Sequence, residues 1–296
     1  MNVHKSVLVN EALEFLKPEK GKIILDATVG YGGHTEEILK NITPTGKLIG
    51  IDCDKKILKM AEQRLNNFKG NFELVYDNFK NLGKALNRLN IKTIDGALFD
   101  LGVSSLQLDD ASRGFSFRNP ARLDMRMDQG LDISAYDFIN NISEYELDKV
   151  IKDYGEERYH KRIAKAIIEH REQHQIEQTT ELAQIIYKVT PNHYRKFKID
   201  PATRTFQALR IAVNNELGSF KQALGDVTNY LSKGARLVTI SFNSLEDRIA
   251  KHHFREMAKR GVYKILTKKP ITPRESEIRE NPRSRSAKLR AVEKNV

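Results

Sequence analysis

Only one of the 296 residues, Cys53, is a cysteine, which excludes an internal disulfide and any metal cluster built from several thiolates. No apolar run reaches the roughly 18 residues that a membrane-spanning helix requires, so the sequence predicts no membrane partner. The opening stretch MNVHKSVLVNEALEFL lacks the uninterrupted apolar core of a secretion signal. Asn10, Glu11 and Glu14 break it at a spacing that suits an amphipathic helix, and a cytoplasmic location is the resulting expectation. The pair His170 and His174 has helical metal-ligand spacing. HREQH nevertheless lacks the glutamate in second place that a zinc-hydrolase helix carries, so both histidines read as solvated and no metal is expected. Internal repeats are also missing, which sets repeat architectures aside. Acidic charge is in relative deficit: fifty Lys and Arg face thirty-nine Asp and Glu, a formal charge of +11, which favours a polyanionic partner.

Against these absences, the stretch KIILDATVGYGGH (Lys22 to His34) reads as a buried strand, a glycine-rich turn and a helix opening at Thr35. Gly30, Gly32 and Gly33 supply backbone that can bend sharply and approach a ligand. A dinucleotide turn of the Gly-x-Gly-x-x-Gly kind would need its third glycine where Thr35 stands, which argues against a nicotinamide cofactor. An acidic strand end followed by Gly-x-Gly is instead similar to the S-adenosylmethionine (SAM) loop of doubly wound methyltransferases. LIGID (Leu48 to Asp52), FELVYD (Phe72 to Asp77) and GALFD (Gly96 to Asp100) predict three further strands, with helical patterns between them. That alternation predicts an α/β fold with a parallel-rich, Rossmann-like sheet. All four strands end in aspartate, and ligands of such sheets bind beyond the carboxyl ends of the strands. For Asp26 and Asp77, capping of the following turn is an equal alternative.

From about Leu106 to Asp200 the strand pattern gives way to helical signals, which predicts a helical insertion over residues 106–200 within a domain formed by 1–105 and 201–296. Ser143 with Glu146 predicts a capping box for a helix through Glu144 to Ile151, a second helix covers Arg158 to Glu172, and Thr180 can cap a third. Pro201 then starts a helix to about Leu217. RLVTISF (Arg236 to Phe242) predicts another strand, Ser244 with Asp247 a further capping box, and VYKILT a last strand. The tail from Lys268 to Val296 carries nine basic and four acidic residues, and NPRSRSAKLR suits phosphate contacts.

Asp52 lies at the spacing where a carboxylate accepts ribose hydroxyls, Phe79 can pack on an adenine face, and Asp100 ends the fourth strand beside the expected methyl donor. The sequence around it, DLGVSSLQLDDASRGFSFRNPARLDMRMD, closely resembles the bacterial small-subunit ribosomal RNA cytosine-N4 methyltransferases, the RsmH or MraW family. HKSVLVNEAL, DATVGYGGH, GEERYHKRIAKAI, DPATRTFQALRIAVNNEL, ISFNSLEDR and NPRSRSAKLR match in the same order, so the resemblance covers nearly the whole chain. It implies a SAM-binding domain with a helical, substrate-recognising insertion. The implied reaction is methylation of the exocyclic N4 of one cytidine in 16S ribosomal RNA, with the small ribosomal subunit as partner and a homodimer left open. Carried over by motif, the cofactor contacts are Gly32, Gly33, His34, Asp52, Phe79, Asp100 and Gln107. The family usually has histidine where this chain has Asp200 and Asn243, so proton removal by either imidazole is in doubt here. Ser6 and Leu106 replace usual prolines.

Asp100 is expected to hold the cofactor amino group or the N4–H, with Ser104, Asn243 and Ser244 as substrate contacts. Arg113, Arg118, Arg122 and Arg126 of the insertion, with Arg204, Arg283, Arg285 and Arg290, are the candidate RNA contacts, and Phe115 or Phe117 could support a splayed base. Carbon-5 methylation would need a cysteine nucleophile, and Cys53 adjoins the ribose carboxylate instead. The Asp/Asn-Pro-Pro-aromatic turn of DNA amino-methyltransferases is absent after Asp100, which favours RNA. The rival of another class is a non-catalytic RNA-binding ribosome-assembly factor on the same fold.

Overall fold

The computed structural model describes residues 6–191, 194 and 200–296. His4 and Lys5 of the HKSVLVNEAL block and part of the predicted insertion lie outside the described residues. The chain forms two compact units, Met1–Gly102 with Leu217–Val296, and Val103–Glu216. No helix among the described residues is long and apolar enough to cross a membrane.

The first unit is built on a seven-stranded sheet: β1 (Ile23–Asp26), β2 (Lys47–Asp52), β3 (Phe72–Tyr76), β4 (Ile94–Asp100), β5 (Leu231–Ser241), β6 (Tyr263–Ile265) and β7 (Lys288–Lys294). Their order is β3-β2-β1-β4-β5-β7-β6. The first five pair in parallel, whereas β7 runs antiparallel to β5 and β6 antiparallel to β7. Central strands of a parallel sheet are covered on both faces and therefore read as short apolar runs, which is why Ile24, Leu25, Ile49 and Leu98 are sealed. Helices α1 (Val9–Leu16), α2 (Gly33–Ile42), α3 (Lys55–Arg64) and α4 (Leu82–Arg88) alternate with the early strands. Leu25, Ile51, Phe99 and Leu237 pack with Phe220, Leu224 and Phe254 in one cluster, and Ile24, Leu48 and Val238 with Leu16, Ile38 and Leu39 in another.

In the second unit, α5 (Ser105–Asp109), α6 (Ala135–Asn141), α7 (Glu144–Gly155), α8 (His160–Arg171), α9 (Thr179–Val189) and α10 (Ala202–Asn214) close over Leu147, Ile151, Ile163, Ile167, Leu182 and Leu209. The Ser143–Glu146 capping box is present. Gly114 takes φ +69°, and a Cβ there would lie 2.4 Å from the Arg122 carbonyl oxygen, so this turn requires glycine. The buried Asn214 accepts from Met127 N (2.7 Å) and donates to Met125 O (2.7 Å), fastening the loop after Leu123 to α10.

Four sequence expectations are corrected. The helix after Pro201 ends at Asn214, where Asn215 adopts a left-handed φ of 47°, and a new helix α11 (Glu216–Tyr230) begins. The cap of α9 is Gln178, with Glu181 as its reciprocal partner, rather than Thr180. Helix α12 (Ser244–Lys259) is capped by Asn243, whose side chain accepts from Leu245 N and Glu246 N, so the expected Ser244–Asp247 box is displaced. VYKILT is not the last strand: after α13 (Glu275–Glu280) the basic tail folds into β7, with Leu289, Ala291 and Val292 buried.

Candidate functional site

The chain runs outward from β1 through β2 to β3, then returns to place β4 on the other side of β1. A crevice opens at such a reversal beyond the carboxyl ends of the strands, and Asp26 and Asp100 end the two strands that flank it. Asp26 is 1% exposed and accepts from Thr28 N (3.1 Å) and Thr35 Oγ1 (2.7 Å). Burial pushes its carboxyl up to about 6. Thr28 in turn accepts from Asp100 N through its hydroxyl at 2.6 Å, so the turn after β1 holds the end of β4 in place.

The glycine turn is anchored on the next carboxylate. Asp52 accepts from Gly30 N (2.7 Å) and Asp54 N (2.8 Å), and burial raises it to about 6 as well. Gly30 has φ +52° and open space where a side chain would stand, so a ligand can approach its backbone. Gly32 caps α2 with φ +83° and Gly33 opens it, which moves the helix start two residues ahead of the expected Thr35. Arg64 stacks over the Tyr31 ring at 5.1 Å and pairs with Glu36 at 2.7 Å, bracing the turn from α3. Phe79 lies in a short 3-10 turn with its ring edge to Phe99 at 5.9 Å. Asp77 accepts from Asn78 N and Asn81 Nδ2, both at 2.7 Å, which braces the turn, while the cap itself is Asn78, whose side chain accepts from Lys80 N.

Asp100 is the most perturbed carboxyl of this group. Burial, then the nearby charges of Asp26 and Glu246, push it well above the usual carboxylate range. Its Oδ1 is sealed from solvent and has no hydrogen-bond partner, while Oδ2 lies 3.4 Å from His34 Nδ1. His34 is buried, with Nε2 2.9 Å from Val7 O. An orphaned carboxylate oxygen among strand-end acids suits a ligand that is cationic and rich in donors, and the open backbone at Gly30 suits a nucleoside, so these residues fit SAM.

Other predicted residues serve structure. In the second unit, Ser104 and the buried Gln107 form the reciprocal capping box of α5, with side-chain bonds of 3.2 and 3.0 Å. Asp200 accepts from Ala202 N (2.8 Å) and the Tyr187 hydroxyl. Arg113 is corrected as an RNA contact: it is 7% exposed and donates to Arg126 O and Met127 O, holding its own loop. Arg290 is corrected too, since it is 8% exposed and forms a bidentate pair with Asp247 at 2.6 and 3.1 Å. Arg126 is held by Asp124 and Leu131 O, and Arg204 donates to Glu156 O. Arg118, Arg122, Arg283 and Arg285 are exposed. Phe115 and Phe117 join the core of the second unit rather than standing open. His174 is exposed as expected, but His170 pairs with Glu181 at 3.0 Å. No cluster of metal-ligating side chains occurs among the described residues. Sequence reasoning missed Thr28, Thr35 and Glu246, because a threonine after a strand-end aspartate gives no signal of where its hydroxyl points.

Residues 1–295 match the family model described as the MraW methylase family. The ribosomal RNA small subunit methyltransferase H of Persephonella marina is 50% identical over 291 residues, covering 98% of this chain and 99% of that protein. Its counterpart from Clostridioides difficile is 45% identical over 306 residues, covering 98% of each. Among solved structures, an rRNA methylase from Streptococcus thermophilus aligns over 97% of this chain and 94% of that one, with 13% identity and a TM-score of 0.46. Carrying the doubly wound sheet, the glycine turn and the strand-end carboxylates within a full-length match, this chain belongs to the MraW methylase family.

Proposed function

We propose that this protein is a cytoplasmic, SAM-dependent methyltransferase that modifies the exocyclic N4 of a cytidine in 16S ribosomal RNA. The observation that carries the reading is the orphaned Asp100 Oδ1 among strand-end carboxylates beside an open glycine turn. The full-length relatives bearing the name of a small-subunit rRNA methyltransferase supply the substrate class. Bound in this site, SAM would supply a methyl group on a sulfonium, transferable by in-line displacement with S-adenosylhomocysteine as the other product. Gly30 would let the backbone approach the nucleoside, Asp52 would accept from the ribose hydroxyls and Phe79 would pack on the adenine, with Gly32, Gly33 and His34 completing the contacts. Asp100 holds the amino group of the cofactor or the N4–H. Because the N4 lone pair is delocalised into the ring, the amine must be oriented, and its proton accepted, as the N–C bond forms.

In this reading the unit Met1–Gly102 with Leu217–Val296 is the methyltransferase domain and the unit Val103–Glu216 the subdomain that recognises the substrate, taking in α10 beyond the 106–200 expected from sequence, with a homodimer as the assembly to test. Arg118, Arg122, Arg283 and Arg285 have the exposure that phosphate contact requires. Ser104 and Asn243 would contact substrate only with atoms their capping roles leave unused, and Ser244 is the third proposed substrate contact.

The test is incubation of the protein and SAM with small ribosomal subunits lacking the modification, followed by mass spectrometry of the nucleosides. N4-methylcytidine with the wild type and not with Asp100→Ala is the expected result. A methyl group on another atom would overturn the N4 assignment. SAM-induced thermal stabilisation without any methylated product would favour a non-catalytic assembly factor.

A further inference from the structure

The connection from β3 to β4 carries one more conclusion, which rests on the proposed RNA substrate. From Asn78 to Ile94 the chain has four cations, Lys80, Lys84, Arg88 and Lys92, and no acid. Lys80, Lys84 and Arg88 recur every fourth residue through the turn Phe79–Asn81 and α4, so they share one side of it. The other side is core, where Leu82, Ala85 and Leu86 pack with Phe220, Ala223 and Leu224 of α11. Gln222 Nε2 donates to Lys80 O (3.0 Å) and the Tyr230 hydroxyl to Gly83 O (3.2 Å), so α11 holds the row in place. Lys84, Arg88, Lys92 and Lys221 of α11 are exposed, and among the described residues none of them, nor Lys80, is in an ion pair. Asp226, one turn from both Gln222 and Tyr230, is the acid that α11 turns toward α4, and it is in no ion pair either. Asp77, ahead of the turn, is engaged by Asn78 N and Asn81 Nδ2.

Like charges four residues apart repel, and a row of them without counter-charge destabilises its helix until a polyanion meets it. A membrane surface is the wrong partner, because a helix lying on lipid exposes large apolar side chains and α4 exposes none. Strand direction sets where the row begins and ends. Since β3 and β4 point the same way in the sheet, α4 leads from the carboxyl end of β3, beside Phe79, back to the amino end of β4. We infer that Lys80, Lys84, Arg88 and Lys92, with Lys221 beside them, are an RNA-docking surface of the methyltransferase unit. They hold the phosphodiester backbone of the substrate where it leaves the reaction crevice. Contacts of this kind supply affinity and orientation, and leave the choice of base to other residues.

The test compares Lys84→Ala/Arg88→Ala with Lys20→Ala/Lys69→Ala in the full-length protein. The second pair removes the same charge from exposed lysines that precede the amino ends of β1 and β3. Binding to small ribosomal subunits lacking the modification, and to protein-free 16S ribosomal RNA, is titrated from about 50 to 200 mM salt. The first pair should weaken binding to both by at least about tenfold at the lowest salt and reduce the slope of log affinity against log salt by about 2. The second pair should leave that slope unchanged, and both should keep the wild-type urea midpoint and SAM affinity. Equal effects of the two pairs, or no effect of the first, overturn the inference, since the row is then a solvated face. A loss confined to assembled subunits overturns it as well, because the contact is then with a protein of the subunit. Wild type that shows the expected pattern of binding but yields no N4-methylcytidine defeats the proposed reaction and leaves the docking surface standing.

Discussion

Asp26→Asn should make the free protein more stable at neutral pH, and the gain should vanish in acid. Asp26 is sealed, and burial raises its carboxyl from 3.8 to about 6. Between those values the folded state binds more protons than the unfolded chain, so stability falls as pH rises through the window and then levels off. A rise of about 2 pH units, at about 1.4 kcal/mol each, makes the penalty about 3 kcal/mol above pH 6 and nothing below pH 4. Asparagine suits the same contacts: its oxygen can accept from Thr28 N and its amide can donate to the Thr35 hydroxyl, which accepts as readily as it donates. Urea denaturation of both proteins from pH 4 to pH 8 reads the difference. The variant's advantage should be about 3 kcal/mol larger at pH 7.5 than at pH 4, most of the change falling between pH 4 and 6. A difference that is flat across pH, or that shrinks as pH rises, would refute the assignment of Asp26 as a buried acid whose ionisation opposes folding.

The arginines separate into two classes by assay. Arg113→Ala should cost about 2 kcal/mol in urea denaturation, because two loop carbonyls lose a charged donor. Arg118→Ala should leave stability unchanged and weaken RNA binding, with the slope of log affinity against log salt reduced by about 1. Arg290→Met should destabilise by about 3 kcal/mol, since Asp247 keeps only the longer contact to Lys288 at 3.8 Å. RNA affinity measured where this variant is still folded should match wild type. Gly114→Ala combines a left-handed φ with a backbone clash at 2.4 Å and should cost on the order of 3 kcal/mol, read as a lowered midpoint of thermal unfolding.

The doubly wound core was legible because strands covered on both faces have to be apolar, and each of the first four carries its aspartate at or just after the end that faces ligands. The carboxylates and the glycine turn were legible for the same reason: their position follows from strand direction alone. What stayed hidden depended on partners distant in sequence. KLRAVEK reads as a charged tail until Arg290 meets Asp247, 43 residues away, and Glu293 meets Arg236, 57 residues away. Those two pairs neutralise a strand whose Leu289, Ala291 and Val292 are core. Arg113 misled in the same way, for a guanidinium that satisfies carbonyls inside its own loop has the same letter as one that waits for phosphate.

Capping roles also narrow where the reaction's proton can go. Asn243 accepts two backbone N–H groups through one oxygen, and Asp200 is engaged by a backbone N–H and a tyrosine hydroxyl. Ser104 and Gln107 satisfy each other. A side chain that has given its acceptor to a helix end can take a proton only by releasing that end, at about 1 kcal/mol for each cap. Asp100 differs, because one of its oxygens is unpaired and the other lies 3.4 Å from His34 Nδ1.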